Sequence, residues 1–212
     1  MTVAEALAAG VAALGLGLED AIQARLLAYL TLLGKWNRTH NLTSVRDPLA
    51  MVGQHLLDSL AVLPHLPQRA RLRLIDVGSG GGLPGIPLAI ARPGWQASLL
   101  DSSGKKSAFL RQAAAELRLA NVEIVTARAE SYSPAQAFDV AISRALSDLA
   151  RFAAIAAHLL APGGQLFAMK GSYPREEIAA LPREVVVVAV HRLTIPGIEA
   201  ERHLVIMLAQ PA

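Results

Sequence analysis

A short apolar stretch, Leu72-Arg73-Leu74-Ile75, runs into Asp76 and then breaks at Gly78-Ser79-Gly80-Gly81-Gly82-Leu83-Pro84-Gly85. A strand that ends in a glycine turn brings bare backbone N–H groups to the start of the next helix, where a ligand can approach closely. A second strand, Ala97-Ser98-Leu99-Leu100, ends in another acid, Asp101. Few folds place two acids and a glycine turn at neighbouring strand ends, and the rest of the chain narrows them further.

From residue 72 onward, strand and helix patterns alternate. Strands are predicted at 72–77, 97–100, 122–125, 138–143 and 165–169, with helices at about 85–91, 105–118 and 148–160. Ala161-Pro162-Gly163-Gly164 reads as a turn, and strands at 184–190 and 203–208, flanking Pro196-Gly197, read as a closing antiparallel pair. Such alternation implies a doubly wound parallel sheet with right-handed crossovers. Ligands then bind outside the carboxyl ends of the strands, where Gly78, Asp101, the segment after Val125 and Arg144 fall. Residues 1–66 read as a helical extension and 67–212 as the α/β unit, the two packed as one body. Leu26, Leu27, Leu30 and Leu33 share one helical face, as do Leu56, Leu57, Leu60 and Leu63. The polar stretch from Lys35 to Asp47 between them reads as a loop, and Asp47-Pro48 as an N-cap followed by proline at the first helical position.

An ammonium, a ribose diol and no phosphate is what such a site suits, which points to S-adenosylmethionine (AdoMet). The positive end of the helix after the glycine loop would face the methionine carboxylate. Asp101 would accept both ribose hydroxyls, as the acid after strand two does in dinucleotide folds. Ala129-Glu130, after strand three, would line the adenine. Asp76 either contacts the cofactor or only hydrogen-bonds the loop backbone. Gly80 to Gly85 also satisfies G-x-G-x-x-G, but begins several residues after the strand ends, and the chain lacks a second substrate domain, so a nicotinamide dinucleotide is the weaker reading. No Gly-Lys-Ser/Thr follows, which excludes a P-loop.

Composition removes other chemistries. The chain has no cysteine, so disulfides, thiolate metal sites and cysteine nucleophiles are absent, in keeping with a reducing cytoplasm. Its six histidines show no ligand spacing, and no metal is expected. No apolar run reaches a membrane span, and no basic residue precedes the apolar segment 6–18, which reads as an amphipathic helix rather than a leader. The net charge is +3, and sixteen of the twenty basic residues are arginine, a balance that favours anionic partners.

Further segments complete a recognisable set: Lys35-Trp36-Asn37, Asn41-Leu42-Thr43-Ser44, His55-Leu56-Leu57-Asp58-Ser59, Leu100-Asp101-Ser102-Ser103-Gly104-Lys105-Lys106, Ile142-Ser143-Arg144-Ala145, Met169-Lys170-Gly171 and Glu201-Arg202-His203-Leu204-Val205. With the extended glycine loop through Ile86-Pro87, they closely resemble the bacterial 16S rRNA 7-methylguanosine methyltransferase G family (RsmG, glucose-inhibited division protein B), over about residues 25–208. The first 20 residues carry no resemblance. The family implies a Rossmann-like class I AdoMet-dependent methyltransferase with a seven-stranded, mostly parallel sheet, an antiparallel C-terminal strand and N-terminal helices. It implies methylation of N7 of a guanine in 16S rRNA. By similarity, Gly78, Leu83, Ala129, Glu130 and Arg144 occupy AdoMet-contacting positions. The family often has leucine where this chain has Ser103, a mild change.

Guanine N7 carries a free lone pair, so the site must align nucleophile, methyl and sulfur and exclude water, and no general base is expected. The chain agrees in two ways. Ser143-Arg144-Ala145-Leu146 stands where exocyclic-amine methylases carry Asn/Asp-Pro-Pro-Tyr/Phe, and the missing cysteine forbids attack on a pyrimidine ring. Arg144 either hydrogen-bonds guanine O6 or a phosphate, or shapes the pocket through a salt bridge to Glu130 or Asp101. Asp58 or Asp139 is a candidate to stabilise charge developing on the base, and His55 and Asp58, at i and i+3, are candidates to pair. Lys35, Arg38 and Arg46 in the polar stretch, with Lys105, Lys106 and Lys170 around the cofactor mouth, are the expected RNA grips. Trp36 either stacks a base or joins the core. Arg69, Arg71 and Arg73 read as a solvated edge. The expected partner is 16S rRNA within the 30S particle or an assembly intermediate, met by a cytoplasmic monomer. A non-catalytic AdoMet- or RNA-binding regulator and a small-molecule methyltransferase are the alternatives. Retention of Gly78 and Asp101 weighs against the first, and steep salt sensitivity would separate the second.

Overall fold

The computed structural model describes residues 1–144 and 146–209; Ala145, quoted above, lies outside them. Helix α1 (Val3–Ala13) opens with a capping box: the Glu5 N–H donates to the Thr2 hydroxyl, and the Thr2 N–H to the Glu5 carboxylate. Helix α2 spans Asp20–His40. After it come α3 (Pro48–Met51), a π-helical turn (Val52–Leu57) and α4 (Asp58–Leu60). Asp47 caps α3 by accepting from the Ala50 N–H at 2.7 Å, with Pro48 in the first turn, as the dipeptide predicts.

The α/β part follows as β1 (Arg73–Val77), α5 (Gly85–Ala91), β2 (Gln96–Asp101), α6 (Gly104–Glu116), β3 (Val122–Thr126), β4 (Phe138–Arg144), α7 (Leu149–Ala156), β5 (Leu160–Lys170), α8 (Arg175–Ala179), β6 (Val185–Arg192) and β7 (His203–Ala209). The seven strands lie in the order β3-β2-β1-β4-β5-β7-β6. Strands β1 to β5 pair in parallel, and β7 runs antiparallel to both neighbours, β5 and β6. The last strand is therefore slotted inside the sheet, and β6 forms the edge.

Three local expectations change. The stretch 35–40 is helix, not loop: α2 continues until Asn41, which takes the left-handed conformation at φ 49° and ends it. The buried Asn37 amide then holds the chain beyond, accepting from the Thr43 N–H at 2.9 Å and donating to the Val45 carbonyl at 3.3 Å. Residues 161–164 form an excursion within β5 rather than a turn before it. The β4–β5 register jumps from Phe138↔Leu160 to Val140↔Gln165, with Gly163 at φ 77°. Helix α8 is new; it is a single short turn of helix that the hydrophobic pattern does not announce.

The N-terminal helices and one face of the sheet share a core. Leu26, Tyr29, Leu30 and Leu33 of α2 pack in one cluster with Leu56, Leu60, Ile86, Leu99 and Phe109. On the other face, α7 buries Phe152 and Ala156 against Ile75, Ala141 and Leu166. Among the described residues no helix is long and apolar enough to cross a membrane.

Candidate functional site

Two clefts open at the carboxyl ends of the central strands. One, about 360 Å³, is lined by Leu100, Asp101, Ala129, Glu130 and the residues after β4. The other, about 620 Å³, lies between the glycine loop, residues 42–45, the π-helical turn and the ends of β5 and β7. Gly78, Lys106 and Arg144 line both, so the clefts meet there.

The glycine loop is held rigidly. The Gly78 and Ser79 N–H groups donate to the Leu100 carbonyl at 2.8 and 3.1 Å, tying the loop to β2. Gly78 sits at φ 75°, where a side chain would be strained and would press on Leu146. At Gly85 the reason is space: a Cβ there would lie 2.2 Å from Leu99 Cδ2. Tyr29, buried in α2, donates its hydroxyl to the Gly81 carbonyl at 2.5 Å, so the first helices clamp the loop from outside. Burial raises the Tyr29 pKa, which keeps the hydroxyl a neutral donor.

Asp76 is fully buried and lines neither cleft. Its Oδ2 accepts from the Gly85 N–H at 2.9 Å. Of the two roles open to Asp76 in the sequence, the structure shows the hydrogen bond to the loop backbone, and this carboxylate engages the first N–H of α5, where the sequence suggested the cofactor's carboxylate. The Gly81 N–H is the loop donor that has no partner among the described residues. Burial pushes the Asp76 pKa up to about 7, against the opposing pull of the Gly85 N–H.

Asp101 lies at the end of β2 on the smaller cleft. Its Oδ2 accepts from the Gly80 N–H at 2.9 Å and faces Lys106 Nζ at 3.6 Å, while Oδ1 accepts from the Ser103 N–H at 2.8 Å. Each carboxylate oxygen has two lone pairs, so capacity remains for a ribose diol, in an orientation already fixed by the loop. Ala129 and Glu130, in a 3₁₀ turn after β3, form the opposite wall. The donor set fits a nucleoside joined to a carboxylate-bearing arm: an acid at a strand end, an apolar alanine wall, and an N–H in the neighbouring cleft.

Arg144 pairs with neither acid suggested for it. Glu130 bonds Arg151 at 3.2 Å, and Asp101 faces Lys106. Instead Arg144 Nη1 donates to Asp58 Oδ2 at 3.0 Å and to the Gln54 carbonyl at 2.8 Å. Arg202 Nε donates to the other oxygen of Asp58 at 3.0 Å. His55 meets Thr43 Oγ1 at 2.8 Å rather than Asp58, and burial lowers its pKa, favouring the neutral ring. Asp139 is excluded from the site. It lies at the amino end of β4, accepting from the Arg73 N–H at 2.8 Å and facing Arg69 at 3.6 Å.

The basic candidates separate. Lys106 reaches both clefts, whereas Lys105 is exposed and lines neither. Lys170 stands at the cleft wall but bonds Glu177 at 2.8 Å and the Ser147 carbonyl at 3.1 Å, which removes it as a free grip. Lys35, Arg38 and Arg46 rim a third groove of about 690 Å³ on the far side of the 41–47 loop. Trp36 is half-buried against Phe109 and His40. Sequence reasoning missed Gln54, Thr43 and Arg202 on the larger cleft.

Comparison with known proteins bears on these clefts. The family described as rRNA small subunit methyltransferase G matches residues 22–205. A Nitrosospira multiformis protein called ribosomal RNA small subunit methyltransferase G is 53% identical over 214 residues, covering 98% of each chain. A Burkholderia ambifaria protein of the same name is 52% identical, over 96% of this chain and 91% of its own. Among solved structures, a SAM-dependent methyltransferase from Thiobacillus denitrificans, in complex with S-adenosyl-L-homocysteine, superposes with a TM-score of 0.57 at 15% identity. It covers 85% of this chain and 97% of its own, and the likeness is one of fold.

Proposed function

The chain belongs to the rRNA small subunit methyltransferase G family, and from that premise we propose how its residues carry out the family's reaction. It is an AdoMet-dependent enzyme that methylates N7 of a guanine in 16S rRNA. AdoMet supplies an electrophilic methyl group on a sulfonium. The observation that carries the assignment of residues is the meeting of the two clefts at Gly78, Lys106 and Arg144.

In this reading the smaller cleft takes the nucleoside of the cofactor: Asp101 accepts from the ribose diol, and Ala129 and Glu130 border the adenine. Gly78, Gly80 and Leu83 border the methionine arm, and the Gly81 N–H is free to meet its carboxylate. Asp76 acts from behind, holding the start of α5. The larger cleft receives the guanine. Its walls bring N7 toward the junction and keep water out, which is the contribution a lone-pair nucleophile needs. No group in the cleft has to remove a proton, and burial disfavours charging of His55, one of the two imidazoles that line it. Arg144, at the junction, positions the reactants.

Lys35, Arg38 and Arg46, with Lys105 and Lys106, carry the phosphates of the flanking RNA; Lys170, neutralised by Glu177, is left out. We place the substrate in the 30S particle or an assembly intermediate, and the enzyme in the cytoplasm as a monomer. Incubation with labelled AdoMet and either naked 16S rRNA or 30S particles tests this, with digestion to nucleosides. Label is expected in 7-methylguanosine, more with particles. Label on an exocyclic amine or a ribose would refute the chemistry, and equal labelling of naked RNA would refute the particle assignment.

A further inference from the structure

The larger cleft holds a charge arrangement of which only Arg144 also borders the cofactor cleft. Asp58 has a side chain only 3% exposed, yet it meets two arginines, one on each carboxylate oxygen. Arg144 and Arg202 are 23% and 26% exposed and both line the cleft. Arg144 Nη1 is taken by Asp58 and Gln54, Arg202 Nε by Asp58, and Arg202 Nη1 by the Glu201 carbonyl at 2.8 Å. The remaining nitrogens, Nε and Nη2 of Arg144 and Nη2 of Arg202, make no hydrogen bond among the described residues.

One carboxylate against two guanidiniums leaves one positive charge in excess. The neighbouring cations do not share in it: Lys106 faces Asp101, and Lys170 bonds Glu177. A surplus cation on a largely desolvated wall calls for an oxyanion. Guanine itself is a poor recipient. Its ring becomes positive as N7 gains the methyl, so a cation fixed on O6 would oppose the reaction more as it proceeds. The phosphate of the nucleotide carrying that guanine keeps its charge throughout, and an arginine fork matches its oxygens. Arg202 also lines only the larger cleft, whereas Arg144 lines both.

We propose that Arg202 binds a backbone phosphate of the target nucleotide, and that Asp58 is the positioning residue that orients Arg202 and Arg144 toward the cleft. This rests on the larger cleft being the RNA acceptor site. Asp58 fixes both guanidiniums before RNA arrives, so binding does not have to order two long side chains. It also lowers the net charge of the pair, so the two arginines tolerate each other without RNA.

The test uses the full-length protein with 30S particles, and compares wild type with Arg202→Ala, Arg202→Gln, Arg202→Lys and Asp58→Asn. Loss of a charge-assisted contact is expected to raise KM for the particle roughly 10-fold or more in the alanine and glutamine variants, with a smaller change in kcat. The slope of log affinity for RNA against log salt should become shallower by about one phosphate contact. Lysine should restore part of the affinity and the full slope. Asp58→Asn should raise KM while leaving the slope unchanged, because both cations stay. AdoMet affinity, measured by calorimetry, should hold in the Arg202 variants. If it drops alongside unchanged RNA affinity, the oxyanion bound is the cofactor's carboxylate and the proposal fails. It fails equally if wild type and Arg202→Gln share one KM and one salt slope; the glutamine variant, closer in shape, decides should the alanine variant not fold. The wild-type nucleoside product is read in the same assay. Methylation elsewhere than guanine N7 would sink the proposed reaction without touching the salt-slope result for Arg202.

Discussion

Asp101 and Asp76 are two carboxylates at adjacent strand ends whose surroundings give them different tasks. Asp101 faces a cleft with its oxygens already oriented by Gly80 and Ser103. Asp101→Asn should therefore weaken AdoMet binding roughly 10-fold or more, since an amide presents one acceptor where the carboxylate presents two. It should also cost about 1–2 kcal/mol of stability through the backbone contacts it loses. Calorimetric titration and a thermal melt check both, and an unaltered AdoMet affinity would remove Asp101 from the ribose. Asp76 is sealed off, with its folded pKa raised to about 7 from an ordinary 3.8. Between those values the folded protein holds a proton that the unfolded chain has released. Stability from this group is full below about pH 4, declines as pH rises toward 7, and is level above. Asp76→Asn, which keeps an acceptor for the Gly85 N–H, should flatten that decline in a plot of Tm against pH from 5 to 8. Parallel curves for variant and wild type would contradict it.

At the scale of elements, what could be read from the sequence depended on how far apart the informative residues lie. Strand ends, the glycine loop and the α3 cap are written within a few residues, so Asp76, Gly78, Asp101 and Asp47 announce their positions. The hydrophobic faces of α2 and of residues 56–63 were legible for the same reason. The end of α2 was not. Lys35 to His40 is largely polar; the packing of Leu33 and Trp36 on the core carries the helix through it, and Asn41, in the left-handed region, ends it. The slot of β7 inside the sheet is also non-local. The Asp58 to Arg202 bond joins residues 144 positions apart, and no spacing rule reaches that far. Tyr29 belongs with these, because its tie to Gly81 crosses from α2 to the loop. Removing its hydroxyl leaves a buried carbonyl without a donor, a cost of about 1–3 kcal/mol. Tyr29→Phe should lower Tm and, by loosening the loop, weaken AdoMet binding by several-fold. A melt shifted without any change in AdoMet affinity would mean the loop holds its shape unaided.

At the scale of the molecule, the N-terminal helices do two things at once. They complete the core on one face of the sheet, and α2, with the loop after it, carries Lys35, Arg38 and Arg46 to the rim of a groove beside the larger cleft. The 41–47 loop is the wall between them, with residues 42–45 lining the cleft and Arg46 the groove. In the proposed reading, RNA entering the larger cleft passes this wall, and the three exposed cations mark its basic side. The net charge of +3 is too small to hold RNA wherever it touches. Grip then depends on where the cations stand, and each phosphate neutralised adds to the salt dependence of binding. Lys35 and Arg38 are exposed and line neither of the two clefts, so replacing both with alanine should leave AdoMet binding intact. Methylation of 30S particles should fall, through a higher KM, and the salt slope of RNA binding should become shallower by about two contacts. Arg46, on the loop itself, should show the same effect singly. Wild-type activity and slope in the double variant would take the groove out of the RNA path and leave Lys106 and the Asp58-anchored arginines to hold the substrate alone.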